Sequence, residues 1–223
     1  MGKHRLRPTL RRDSRDIARL FQISSEGISD YIWNKLAQEG QSLIDVGSVR
    51  YAREGVDFSY QNCVVAERAG YVIGMLHGFE MKADPGAEEE TDPVLRPYRE
   101  LEIHGTLYIS GVAVFPQYRG RGIGSNMMKA AEDRAREIGV GGLSLIVFEE
   151  IESARRLYER TGYVEVDRRP VVPHPLIRIA GGDAILMEKA LDRRGSPPQP
   201  PRHFQTEPLC CSSRVAPTRR VRV

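Results

Sequence analysis

One stretch limits the fold more than any other. Residues 107–124 read Leu-Tyr-Ile-Ser-Gly-Val-Ala-Val-Phe-Pro-Gln-Tyr-Arg-Gly-Arg-Gly-Ile-Gly and run directly into a helical pattern. The first half, through Phe115, is rich in β-branched and aromatic residues, which suit a pleated surface; Pro116 ends the strand because it has no N–H for a ladder bond. Glycines then recur at alternate positions, Gly120, Gly122 and Gly124. Glycine takes up positive φ and lets a backbone approach a ligand, so neighbouring N–H groups can converge on one anion at the positive end of a helix. The expected guest is a phosphate or pyrophosphate. The even spacing does not match the dinucleotide fingerprint, and Ser125-Asn126 does not supply the Lys-Ser/Thr of a nucleotide P-loop.

The following residues extend this into a βαβ unit. Ile123, Met127, Met128, Ala131, Ala135 and Ile138 recur at three- and four-residue intervals, predicting a helix that ends near Gly139. Residues 143–148 are almost continuously apolar and too short for a helix, as expected of a buried parallel strand. A second helix is expected over 153–162, with Ser153 as N-cap, Leu157-Tyr158-Glu159 inside it and Gly162 at its end.

Arg119, Gly122 and Gly124 meet a Gln/Arg-x-x-Gly-x-Gly/Ala pattern, and the Leu157-Tyr158-Glu159 helix ending in Gly162-Tyr163 follows some 30 residues later. Together they resemble the two signatures of the GCN5-related N-acetyltransferase (GNAT) superfamily. The resemblance implies an α/β fold: a mixed, mostly antiparallel sheet of six or seven strands, a central parallel pair splayed around acetyl-CoA, and helices on both faces. It also implies an acetyl-CoA-dependent N-acetyltransferase acting by direct attack of a primary amine, with acetyl-CoA as co-substrate and no metal. Backbone at Val112, Ala113 and Val114 would hold the pantetheine arm as an added strand. Residues Arg119, Gly120, Arg121, Gly122, Ile123, Gly124 and Ser125 would surround the diphosphate, and Ala154 and Tyr158 would reach the cofactor from the second helix.

In the same reading Tyr158 protonates the departing CoA thiolate. The general base is expected among Glu100, Glu102 and His104, which share one face if the central strand extends back that far. Glu102 is the choice among them; a solvated edge would give the same pattern. His77 is a weaker candidate, since a lone histidine in a strand is more often a satisfied core residue. One departure stands out: where many relatives carry an Asn that bonds pantetheine, four residues after Val147, this chain has Ile151. A regulatory domain that binds acyl-CoA with little turnover therefore stays open as the alternative function.

Elsewhere, a first strand is expected in residues 5–12, with Asp13 and Ser14 as N-cap candidates for a helix carrying Ile17, Leu20 and Phe21. A second helix carries Ile28, Ile32, Trp33 and Leu36 as far as Gly40. Tyr31, Trp33 and Tyr51 could serve either the core or an acceptor pocket. Residues 62–69 and 71–79 read as a hairpin turning at Gly70, and 163–168 with 184–189 as a closing hairpin. Between them, 80–97 is acidic and broken by Pro85, Pro93 and Pro97, and reads as a solvated, mobile loop; 40–60 and 169–182 also read as loops.

The net charge of +3 is unevenly placed: residues 192–223 hold seven Arg against Asp192 and Glu207, a net of +5, which leaves −2 for residues 1–191. The basic balance thus belongs to a Pro- and Arg-rich tail that is expected to be disordered, after one GNAT domain over 1–191, and nucleic-acid binding is not expected. Cys63, Cys210 and Cys211 form neither a disulfide framework nor a metal spacing. No apolar run reaches the roughly 18 residues of a membrane span. The basic start leads to Asp13 and Asp16 without an apolar signal core, and Leu6 stands where a myristoylation signal wants Ser or Thr. A cytoplasmic protein is expected; a homodimer and the identity of the amine are left open.

Overall fold

The computed structural model describes residues 4–86 and 89–191. Seven strands, β1 (Arg5–Pro8), β2 (Cys63–Arg68), β3 (Tyr71–Glu80), β4 (Leu107–Val114), β5 (Gly142–Phe148), β6 (Val164–Pro170) and β7 (Asp183–Ala190), form one sheet in the order β1-β2-β3-β4-β5-β7-β6. Neighbours are antiparallel except β4 and β5. A parallel pair requires a crossover, supplied by helix α5 (Ile123–Ile138). The mixed sheet with a central parallel pair is as expected.

Two apolar clusters sit on opposite faces. On one, α5 buries Met127, Met128, Ala131 and Ala135 against Ile73, Leu107, Ile109 and Leu145, joined by Tyr158 from α6 (Glu152–Arg160). Gly74 on β3 permits this approach, since a Cβ there would lie 2.7 Å from Met127 Cε and 3.0 Å from the Ala113 carbonyl oxygen. On the other face, α1 (Ser14–Ser24) and α3 (Leu43–Tyr51) pack Ile17, Leu20, Phe21 and Tyr51 against Val65, Met75 and Ala113; Trp33 of α2 (Ile28–Leu36) joins them. A third cluster, over β5 and β7, gathers Tyr31, Val94, Leu101, Phe148, Ile177 and Leu186.

Several expectations change. Residues 40–60 contain α3, which Ser42 caps by accepting from the Asp45 N–H at 3.2 Å. Its Gly47 lies against the Trp33 indole, 2.5 Å from where a Cβ would stand, so the glycine that reads as a loop signal is a packing site. Trp33 and Tyr51 are accordingly core residues, 2% and 1% exposed. The acidic stretch divides: residues 82–86 are exposed, as expected of a solvated loop, whereas the part from Asp92 onward is anchored. Asp92 accepts from the Tyr31 hydroxyl at 2.9 Å and pairs with Lys35, Val94 and Leu101 are buried, and α4 (Arg96–Glu100) lies between them. Asp13 stands at the N-cap of α1, but its carboxylate accepts from the Leu10 N–H (2.8 Å) and Arg7 (2.7 Å) instead of a helix N–H. Ser153 is inside α6 and exposed; Ile151 takes the N-cap position. Among the described residues no helix is long and apolar enough to cross a membrane. The expected tail, with Cys210 and Cys211, lies outside the described residues.

Candidate functional site

The site begins where the sheet comes apart. β4 and β5 pair only at Leu107–Leu143, Tyr108–Ser144 and Ile109–Leu145. Beyond these, β4 keeps its partner β3 through Val114 and β5 keeps β7 through Phe148. Backbone groups of 110–114 on the β5 side therefore have no ladder partner among the described residues, and backbone N–H and C=O groups are obligatory hydrogen-bonding groups. Thr106 and Ser144 tie the closed end, their hydroxyls 2.7 Å apart.

The free edge runs on to the glycine loop. Gly120 and Gly122 adopt φ of +71° and +74°, and a Cβ at either would meet nothing within 4 Å, so glycine is set there by conformation and not by crowding. Gly122 is the N-cap of α5 in the left-handed region, leaving the N–H groups of Ile123, Gly124 and Ser125 as the unpaired first turn of a helix. Gly124 differs: its φ is not positive, and a Cβ would touch Leu157 at 3.4 Å. Arg119 braces the loop by donating from Nε to the Val114 carbonyl at 3.0 Å, and Arg121 donates to the Gln117 carbonyl at 3.2 Å. A converging N–H set at a helix start, continuous with an open strand edge, fits a diphosphate carrying an amide-bearing arm.

Helix α6 brings Tyr158 into the cluster that contains Ile109, Leu145 and Val147, the residues at the point of separation. The phenol is 8% exposed, its ring is 5.9 Å from that of Tyr163, and burial pushes its pKa up to about 12. Among the described residues the buried Tyr163 hydroxyl has no partner. Ala154 and Leu157 pack against the same cluster from the first and second turns of α6. Ile151 packs instead into the apolar cluster over β5 and β7, so its side chain offers no hydrogen bond.

The three acidic-side candidates do not share a strand face. β4 starts at Leu107, so Glu100 ends α4 and pairs with Arg169 at 2.8 Å, whereas His104 is exposed in the turn that follows. The period-two argument fails because α4 and a turn occupy the place of an extended strand. Glu102 stands apart from the others. It is half-buried, accepts from Arg99 at 2.6 Å, and burial raises its pKa against the opposing charges of Arg99 and His104. Tyr108 lies close enough that burial, and after it the Glu102 charge, push its phenol upward. Its ring meets Phe79 at 5.7 Å, and Tyr98, whose buried hydroxyl has no partner among the described residues, meets Phe148 at 6.1 Å. Sequence reasoning missed Tyr98 and Tyr108; for Tyr108 the signal was its alternation with Leu107 and Ile109.

The comparisons agree with this fold. The model of the acetyltransferase (GNAT) family matches residues 34–163. An uncharacterized N-acetyltransferase of Bacillus subtilis, YycN, is 38% identical over 60 residues, covering 27% of this chain and 38% of its own; the chain spans less than half the length of either curated relative it matches. Among solved structures, one described as an acetyltransferase superposes with a TM-score of 0.60 at 23% identity, covering 84% of this chain and all of its own. The structure of yncA from Salmonella typhimurium, solved with its cofactor acetyl-CoA, superposes at 0.57 with 17% identity, covering 88% and 99%. With a family match over more than half of its length and a sheet that parts above a glycine-rich helix start, the chain belongs to the GNAT acetyltransferase family.

Proposed function

We propose that the protein transfers the acetyl group of acetyl-CoA to a primary amine, of a small molecule or of a protein, by direct attack within a ternary complex. The observation that carries this is the ending of the β4–β5 ladder at Ile109 directly before an open backbone edge that leads to the helix start at Gly122. Residues 112–114 offer that edge to the pantetheine arm, and the N–H groups of 123–125 bind the diphosphate, with Arg119, Gly120 and Arg121 shaping the loop. The solved yncA complex holds acetyl-CoA on the same fold.

Attack requires a neutral amine, and Glu102 is the base assigned to it. Burial keeps its proton affinity above that of an ordinary carboxylate, which brings it nearer to the range useful for deprotonating an ammonium. Tyr158 faces the departing sulfur. A phenol near 12 stays protonated at neutral pH and donates a hydrogen bond to a thiolate near ~8.5; complete proton transfer is uphill, so its contribution is stabilisation of developing charge. The ammonium gives up two protons: Glu102 takes the first before attack, and as the amine nitrogen forms the amide bond and the C–S bond breaks, the second passes to the departing sulfur, which leaves as the thiol beside Tyr158. The test is release of free CoA thiol from acetyl-CoA across a panel of amines, with mass-spectrometric detection of the N-acetyl product. A sensor that binds acyl-CoA without turnover is the second reading, favoured by the apolar placement of Ile151; tight CoA binding with no thiol release from any amine would establish it.

A further inference from the structure

The ladder between β3 and β4 slips at one place. His77 faces Gly111 and Gly78 faces Ile109, so Ser110 is an extra residue bulged out of β4. Ile109, the residue before the bulge, is also the last that pairs with β5. The bulge exchanges the faces of the strand: Leu107 and Ile109 lie in the cluster under α5, and after the bulge Val112 and Val114 occupy that side while Ala113 faces α1. Gly111 is roofed by α1, since a Cβ there would stand 2.7 Å from Ser24 Oγ and 3.0 Å from the Phe21 ring.

His77 is fully buried, with the rings of Phe21, Tyr51, Phe58 and Phe79 at 5.1 to 6.1 Å. Its Nε2 is 2.9 Å from the Asp57 carbonyl oxygen, and a carbonyl only accepts, so Nε2 carries the proton. The neutral ring then has its lone pair on Nδ1, which accepts from the Ser110 hydroxyl. Burial, with a smaller push from the Arg134 charge, lowers the imidazole pKa to about 4. The ring is therefore neutral at physiological pH, with both nitrogens engaged, which makes it a fixed acceptor and a poor base.

We propose that His77 is a positioning residue for the acetyl-CoA cleft: by holding Ser110 in the bulge, it fixes where β4 leaves β5 and which backbone groups of 112–114 turn toward the pantetheine arm. The inference rests on the acetyl-CoA reading above.

The test compares CoA with adenosine 3′,5′-bisphosphate, which carries the nucleotide end without the arm, by calorimetry on variants shown to be folded by circular dichroism. His77→Gln reaches toward the Asp57 carbonyl but leaves Ser110 without its acceptor, and should weaken CoA about tenfold. His77→Asn puts an amide oxygen near the place of Nδ1, and should stay within about threefold of the natural protein. Ser110→Ala should reproduce the His77→Gln loss. All of them should bind the bisphosphate as the natural protein does. Equal losses in the Gln and Asn variants, a parallel loss of bisphosphate binding, or unchanged CoA affinity in Ser110→Ala would each overturn the proposal. A natural protein that bound neither ligand would overturn the acetyl-CoA reading itself.

Discussion

On the β4 side of the cleft nearly everything offered to a ligand is main chain: the unpaired edge of 110–114, the left-handed turns at Gly120 and Gly122, and the first N–H groups of α5. On the opposite side the segments 90–103 and 170–182 are held to α1 and α2 by side chains far apart in sequence. Asp92 binds Tyr31 and Lys35, Arg178 reaches Asp30 at 2.8 Å, and the Arg178 N–H donates to the Glu26 carbonyl at 2.9 Å. Gly27 lets the second segment press on the turn between α1 and α2; a Cβ there would stand 2.0 Å from the Leu176 carbonyl oxygen. A wall made of backbone recognises an invariant ligand by conformation, whereas one made of side-chain ties can change with its acceptor. The first wall is the one we assign to acetyl-CoA, the second to the amine.

If that division is right, the largest effect belongs to the loop. Gly122→Val asks a β-branched residue to hold φ of +74° and places side-chain atoms where the phosphate approaches; CoA binding should weaken by about 100-fold or more by calorimetry. Gly124→Ala, with ordinary φ and only a 3.4 Å contact to Leu157, should lose far less, and Arg121→Lys should change CoA affinity by less than about threefold. Comparable losses at Gly122 and Arg121 would mean that side chains, not backbone, bind the cofactor.

Next in size is the chemistry where the two walls meet. Tyr158→Phe should lower kcat roughly 100-fold while leaving CoA affinity unchanged, because the ring still fills its place beside Tyr163. A drop in affinity matching the drop in kcat would make Tyr158 a packing residue. Glu102→Gln should reduce kcat/KM for the amine about tenfold or more. In the natural protein the acid limb of that profile should lie above the usual carboxylate range: the base works ionised, burial raises its pKa, and activity therefore falls as pH drops through the raised value. Loss of that limb in the Gln variant tests the assignment; an unchanged profile would pass the role to another group.

The same contrast explains what could be read from sequence. Backbone-made features leave local traces: alternate glycines, Pro116 at a strand end, and the 3.6-residue period of Met127, Met128, Ala131 and Ala135 fixed β4, the loop and α5 to within a residue or two. Features made by distant partners leave none. Nothing near Asp92 announces Tyr31, 61 residues away, so an anchored segment reads as a mobile acidic loop. Gly47 reads as a breaker until the Trp33 indole against it is known, and Ser110 reads as an ordinary strand residue because its bulge depends on the register with His77. Glu102 was legible as a candidate, but through a strand extension that α4 replaces.

The smallest effect expected is also the sharpest on the division of labour. Asp92 is mostly buried, accepts from Tyr31 and from the Val94 N–H at 2.9 Å, and the Lys35 charge and these donors hold its carboxyl below the usual range despite its burial. Asp92→Asn keeps the volume and can still accept from Val94, while the charge that gathers Lys35 is gone. The loosened segment carries Tyr98 and Glu102 but no part of the loop at 119–124. KM for a productive amine should rise about three- to tenfold, with CoA affinity unchanged within error. Were CoA affinity to fall together with amine KM, the two walls would be mechanically one, and the assignment of separate ligands to them would have to be given up.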